Sequence, residues 1–229
     1  MLFDLRGRGR RRTVQVIYLT LALLMGGGLV LFGIGGGTNG GLFDAIGGNG
    51  SSNTSVDTVF KNRLATYERQ LKVNPQNQTA LIGMTKLRFG NASTGENFNQ
   101  TQNAYTAKGL AELRQASASW QRYLATNPKK PDVGTANLMV QAYGPAGLKQ
   151  YDKAVTSMET VIAGRKETAN LYAQLAILAA GAKQDRKSTL AETKALDLTP
   201  KAQRKQLKSA IDLEKSQLGV SQPTQPQSG

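Results

Sequence analysis

The sequence predicts an all-α chain: one N-terminal transmembrane helix, a flexible linker, and a domain of antiparallel helix pairs. Three observations predict it. No residue from Thr13 to Leu42 is charged. From residue 56 onward, apolar residues return at spacings of three and four, as in Val56, Val59, Phe60, Leu64, Tyr67 and Leu71, the period of a half-buried helix. The helical stretches break at proline, in Asn74-Pro75, Asn127-Pro128 and Thr199-Pro200, because the residue before a proline is pushed out of the helical region. No stretch alternates apolar and polar residues with β-branched enrichment, so no strand is expected.

Residues 1–13 are a basic N-terminus carrying Arg6, Arg8, Arg10, Arg11 and Arg12. Residues 14–34, VQVIYLTLALLMGGGLVLFGI, number 21 and would span about 30 Å as a helix, the thickness of a bilayer core. A signal peptide has a shorter apolar region, about 7–15 residues, and ends in small residues at two fixed positions. Leu42-Phe43-Asp44-Ala45 places Phe43 in one of those positions. The run therefore reads as an uncleaved anchor, with a cleaved signal as the alternative. Arginines before the span and none just after it put the N-terminus in the cytoplasm and the rest outside. Gly26-Gly27-Gly28 in mid-span is either a contact surface for another helix or a tolerated weakness of about 1 kcal/mol per glycine.

Residues 35–55 are rich in Gly, Asn and Ser and read as a linker, since that composition buries too little apolar area to order itself. Asn-x-Ser/Thr triplets begin at Asn49, Asn53, Asn77, Asn91 and Asn99; they are glycan acceptors only in a eukaryotic secretory protein.

The formal net charge is +14. Setting aside the five N-terminal arginines and Asp4 takes 5 from 29 basic residues and 1 from 15 acidic ones, so the remainder keeps +10. A basic body favours anionic partners. There is no cysteine and no histidine, which removes thiolate nucleophiles, disulfides, Cys/His zinc sites and histidine bases. GAKQDRKS (181–188) fails as a phosphate-binding loop because Arg186 stands where a bare glycine backbone is required and no strand precedes it. The lysines and arginines form no aromatic-interleaved patch, so specific nucleic-acid binding is not expected. No enzymatic activity and no cofactor are expected.

Residues 56–217 form the helical domain and 218–229 a disordered tail. Within the domain, YERQLKVNPQN (67–77) and WQRYLATNPKK (120–130) each place an aromatic eight residues before the proline. ETKALDLTPKA (192–202) keeps Leu196 four residues before Pro200, as Leu71 and Leu124 stand before theirs. Tyr143, Gly147, Tyr151 and Ala154 follow one another in YGPAGLKQYDKA. Ser188 lies 34 residues after Ala154, and Pro200 twelve after Ser188.

This pattern resembles the tetratricopeptide repeat over roughly 57–202, best between Ala136 and Pro200. The resemblance implies three to four helix pairs stacked as a solenoid, capped by a last helix from Lys201 to Gln217. It implies packing roles for Ala116, Trp120, Tyr151, Ala154, Leu196 and Pro200, with alanines at close helix crossings and the larger residues between units. Two departures stand out. An insertion, Phe89 to Asn103, breaks the spacing between the first and second units, and Lys166 replaces an expected proline.

In such a solenoid the first helices of each pair line a groove. Two of them carry amide pairs four residues apart, Asn137 with Gln141 and Asn170 with Gln174; four apart on a helix is one face. These amides form the candidate peptide-binding ladder, able to hydrogen-bond an extended backbone. The family's Lys/Asn/Arg clamp for acidic C-termini is absent, since the aligned positions hold Asn170 and Gln174. The whole architecture is similar to the membrane-anchored ancillary subunit of the bacterial secretion translocon. The expected role is therefore a cell-envelope scaffold or chaperone-like adaptor for protein partners. The alternative is an electrostatic adaptor for anionic envelope polymers or lipid headgroups.

Overall fold

Helices dominate because each apolar stripe is bounded by residues that start or stop a helix. A computed structural model describes residues 56–219 apart from Asn103. The arginine cluster, the expected span at 14–34, the linker and the tail beyond Gly219 lie outside the described residues. The helices are α1 Val56–Val73, α2 Gln78–Ala92, α3 Ala107–Ala125, α4 Val133–Tyr143, α5 Tyr151–Ala163, α6 Ala169–Gly181, α7 Asp185–Asp197 and α8 Lys201–Gln217. Among the described residues no helix is long and apolar enough to cross a membrane.

Four helices begin at a side chain that caps them. Asn77 accepts from the N–H of Ala80, Thr106 from Gly109, Asp132 from Thr135 and Thr168 from Leu171. Each bond satisfies one of the N–H groups that a helix start leaves without a partner. α5 and α7 begin differently. Each follows a lysine in the left-handed region, Lys149 at φ 54° and Lys183 at φ 59°, and neither Gln150 nor Gln184 makes a side-chain cap bond. At Lys183 the N–H of Gln184 reaches Ala179 O at 2.8 Å and that of Lys183 reaches Ala180 O at 2.9 Å. This is a Schellman termination, whose left-handed position usually belongs to glycine. A residue with a Cβ gives up roughly 1–2 kcal/mol there. The two lysines stand 34 residues apart, so a left-handed lysine two residues before the second helix of a pair recurs at the same interval as Ala154 and Ser188, although the connection from Tyr143 to Tyr151 is longer than that from Gly181 to Asp185 and is bonded differently.

The helices pack as neighbours. α2 pairs closely with α3, α4 with α5 and α6 with α7, while α1 leans on α2, α6 on α5, and α8 on α6 and α7. Substantial packing reaches no further than the next-but-one helix. The residues between them form one continuous apolar cluster in which alanine is prominent: Ala80, Ala116, Ala136, Ala142, Ala154, Ala176, Ala179 and Ala195 are wholly buried. Among the described residues Trp120, Tyr123 and Tyr143 are the largest buried side chains, and the rings of Trp120 and Tyr123 stack at 5.1 Å.

One element was not expected. Phe98–Asn99 pairs antiparallel with Ala104–Tyr105 inside the insertion, after a short 3-10 turn at Gly95–Asn97. The rings of Phe98 and Tyr105 meet edge to face at 5.1 Å. The N–H of Thr106 donates to Asn97 O at 2.9 Å. The ribbon sits against α3 because Gly109 has no side chain: a Cβ there would lie 2.1 Å from Asn97 O. A pairing of two residues per strand has no alternation for sequence periodicity to register.

Two junctions place a tyrosine ring on a glycine. A Cβ on Gly83 of α2 would meet Tyr67 Cζ at 2.5 Å, and one on Gly181 of α6 would meet Tyr151 Cδ1 at 2.8 Å and Cγ at 3.0 Å. The first clash involves the free end of a half-buried ring, which can swing aside. The second involves the root of the ring, which is fixed to α5. Gly181→Ala should therefore destabilise by about 1–3 kcal/mol through overpacking, whereas Gly83→Ala, with a helix-propensity gain of up to about 1 kcal/mol, should be nearly neutral. Urea denaturation of the full chain followed by circular dichroism checks both; equal losses would contradict this account of the two junctions.

Candidate functional site

The groove candidates lie on α4 and α6. Asn137 and Gln141 are half-buried on α4; on α6, Asn170 is exposed and Gln174 half-buried. Gln174 Nε2 donates to Asn170 Oδ1 at 3.2 Å, which fixes the two amides relative to each other while using one donor and one acceptor of the pair. α4 and α6 are not among the closely packed helix pairs.

The packing candidates sit as follows. Ala116 and Trp120 are wholly buried on α3, and Ala154 on α5. Tyr151 is half-buried with its ring on Gly181. Leu196 is only half-buried, and Pro200 is exposed at the N-cap of α8. Ser188, the counterpart of Ala154, is buried and donates to Ala176 O at 2.8 Å. That bond lets a hydroxyl occupy a crossing otherwise filled by alanine. Arg6, Arg8, Arg10, Arg11 and Arg12 lie outside the described residues.

Polar ties join successive helix pairs. Tyr143 is wholly buried at the end of α4; its hydroxyl lies 2.8 Å from Ser117 Oγ and accepts from Gln121 Nε2 at 3.3 Å. Burial pushes the Tyr143 hydroxyl pKa up, against the opposing effect of those bonds. Asp132, the cap of α4, meets Lys86 of α2 at 3.2 Å. Burial works against its charge, but the hydrogen bonds from Thr135 together with Lys86 outweigh that and hold its carboxyl below the ordinary value. Gln184 Nε2 donates to Asp152 Oδ1 at 2.9 Å, and Lys187 pairs with Glu159 at 2.6 Å, tying α7 to α5. Glu192 on α7 receives Lys208 at 2.9 Å and Lys215 at 2.7 Å from α8.

At the turn edge lies an open depression of about 450 Å³, lined by Lys149, Tyr151, Asp152 and Lys153 at the start of α5 and by Gly181 and Lys183 at the end of α6. Residue-by-residue motif reading passed over these lysines, because a left-handed turn is ordinarily flagged by glycine. The available signal was their 34-residue separation. Among the described residues no group of three or more Asp or Glu side chains is arranged to hold a metal ion.

No family model, no curated protein and no solved structure matches the chain.

The Glu192 site predicts a pH dependence. Burial raises the pKa of its carboxyl, but the bonds from Lys215 and Lys208 prevail and lower it from 4.5. A carboxylate depressed in the folded state stabilises fully above its unfolded pKa, and the contribution disappears as pH falls through the folded value. Lys208 is raised above 10.5, chiefly by its bond to Glu192, so its part of the contribution is lost as pH rises through that folded value. Glu192→Gln should destabilise at neutral pH by about 1–3 kcal/mol, the cost of leaving the half-buried Lys215 without its partner. The difference from the parent should shrink below pH 4.5. Denaturant midpoints across pH 3–8 would reveal it; a constant difference would contradict the pairing.

Proposed function

We propose that this chain is a membrane-anchored scaffold or chaperone-like adaptor whose tetratricopeptide-like helix pairs bind protein partners outside the cytoplasm. The supporting observation is the recurrence, 34 residues apart, of a left-handed lysine, Lys149 and Lys183, each two residues before the second helix of a pair. It accompanies buried small residues at Ala116, Ala154 and Ser188 and packing confined to neighbouring helices. Stacked pairs of this kind expose long surfaces suited to extended partners. On this reading, residues 14–34 hold the domain at the membrane, residues 35–55 give it reach, and Asn137, Gln141, Asn170 and Gln174 face the partner. The electrostatic alternative, attachment to anionic envelope polymers or headgroups, draws on the +10 body.

Crosslinking in intact cells, followed by recovery of the chain, should yield protein adducts. Replacing Asn137 and Gln141 with alanine should reduce the yield severalfold, while the denaturant midpoint of the variant, measured alongside, should show it still folded. Recovery of no protein adducts would overturn the scaffold reading. Protease added to cells with an opened outer layer should destroy residues 56–217 and spare the N-terminus; protection of the domain would reverse the topology.

A further inference from the structure

We propose that the edge formed by the connections after α1, α3, α5 and α7 lies against an anionic lipid bilayer, its basic side chains meeting the headgroups. The proposal narrows the electrostatic reading given above, on which it rests, to one surface and one partner. It does not rest on the expected anchor.

Contacts place these connections, residues 74–77, 126–132, 164–168 and 198–200, side by side. Gln78 Nε2, just after the first, donates to Thr126 Oγ1 in the second at 2.9 Å. Arg122 Nη2 of α3 donates to Pro75 O at 3.3 Å. Gly164, which opens the third, packs on the start of α4: a Cβ there would lie 2.2 Å from Val133 Cγ2. Glu167 in the third receives Lys194, from the last turn of α7, at 3.0 Å.

Four exposed basic residues stand on this edge: Lys129 and Lys130 in the second connection, Arg165 and Lys166 in the third. None of the four is in an ion pair among the described residues. The carboxylates beside them are engaged, Asp132 by Lys86 and the N–H of Thr135, Glu167 by Lys194 and the Tyr172 hydroxyl. Asp197, the last residue of α7, is an offsetting charge. Each lysine or arginine near an anionic surface strengthens attachment by roughly fivefold, so four of them give a weak contact sensitive to salt.

Charge alone suits any polyanion; two apolar side chains decide the partner. Val73, the last residue of α1, is 89% exposed, and Leu198, directly after α7, is 40% exposed. Aliphatic groups beside cations are the composition of an interfacial membrane contact, with the alkyl groups at the acyl boundary and the ammonium groups among the headgroups. A single-stranded nucleic acid would call for rings on which bases stack, and the four connections contain no aromatic residue. An acidic peptide accounts for the charges but not for the aliphatic pair.

The chain has no cysteine, so Val73→Cys and Leu190→Cys each supply a single position for an environment-sensitive fluorophore. Leu190, 62% exposed in the middle of α7, is the apolar position away from the edge. Each labelled full chain is reconstituted into phosphatidylcholine vesicles, with or without phosphatidylglycerol, that carry a quencher on the headgroup. Quenching at position 73 should be at least about threefold greater with phosphatidylglycerol than without, and position 190 should change little. The gain should vanish in molar salt. It should vanish also in the variant Lys129→Glu, Lys130→Glu, Arg165→Glu, Lys166→Glu, with the denaturant midpoint measured alongside to show the fold intact. A gain at position 190 alone, or equal gains at both, overturns this surface while the electrostatic reading stands; no gain at either overturns both. Binding of polyglutamate with position 73 silent on the vesicles gives the edge to an acidic protein and likewise overturns the proposal.

Discussion

Close approach of helices through small side chains is the constraint on which the described structure depends. Ala116, Ala154 and Ser188 lie buried on the second helices α3, α5 and α7, and at Ser188 the paired helix comes near enough for its hydroxyl to reach Ala176 O at 2.8 Å. Larger residues then fill the space this leaves: Trp120 and Tyr123 on α3, Met158 on α5, and Tyr143 at the end of α4. The glycines under Tyr67 and Tyr151 extend the same logic to the junctions between pairs. A helix pair built this way has one apolar face left over, and only the next pair can cover it.

Polar contacts add register to this packing. Ser117 with Tyr143 and Lys86 with Asp132 join the first described pair to the second. Gln184 with Asp152 and Lys187 with Glu159 join the second to the third. Glu192 fastens the last helix through two lysines. Exposed ion pairs contribute at most about 1 kcal/mol each, so their value lies in favouring one alignment of helices that alanine contacts alone would let slide. The half-buried Glu192–Lys215 contact is the exception, since either group would be left desolvated without the other.

Much of the helical character was legible in the sequence for physical reasons. The three-and-four spacing around Phe60, Leu64 and Tyr67 marks a helix that buries one face. The Thr199-Pro200 stop and the polar run after it anticipate a last helix from Lys201 to Gln217, the span observed. The ribbon at Phe98–Tyr105 was not legible, because its pairing rests on one ring contact and on the missing side chain of Gly109 rather than on any pattern. The lysine turns were hidden by residue type: left-handed backbone is forecast from glycine or asparagine, and lysine gives no such sign. Spacing put the members of each amide pair on one face of their helix. Spacing carries no information on the distance between helices, nor on the bond that Gln174 Nε2 donates to Asn170 Oδ1.

The central claim is that residues 56–217 form a stack stabilised between neighbours rather than a globule stabilised all at once. Native-state hydrogen exchange of the full chain, followed over increasing denaturant below the unfolding midpoint, tests it most directly. A neighbour-stabilised stack predicts graded opening: amides of α1 and α8, each covered on one side, exchange through low-energy openings, while those of α4, α5 and α6 hold to the highest denaturant. A single opening energy shared by all protected amides from α1 to α8 would contradict it.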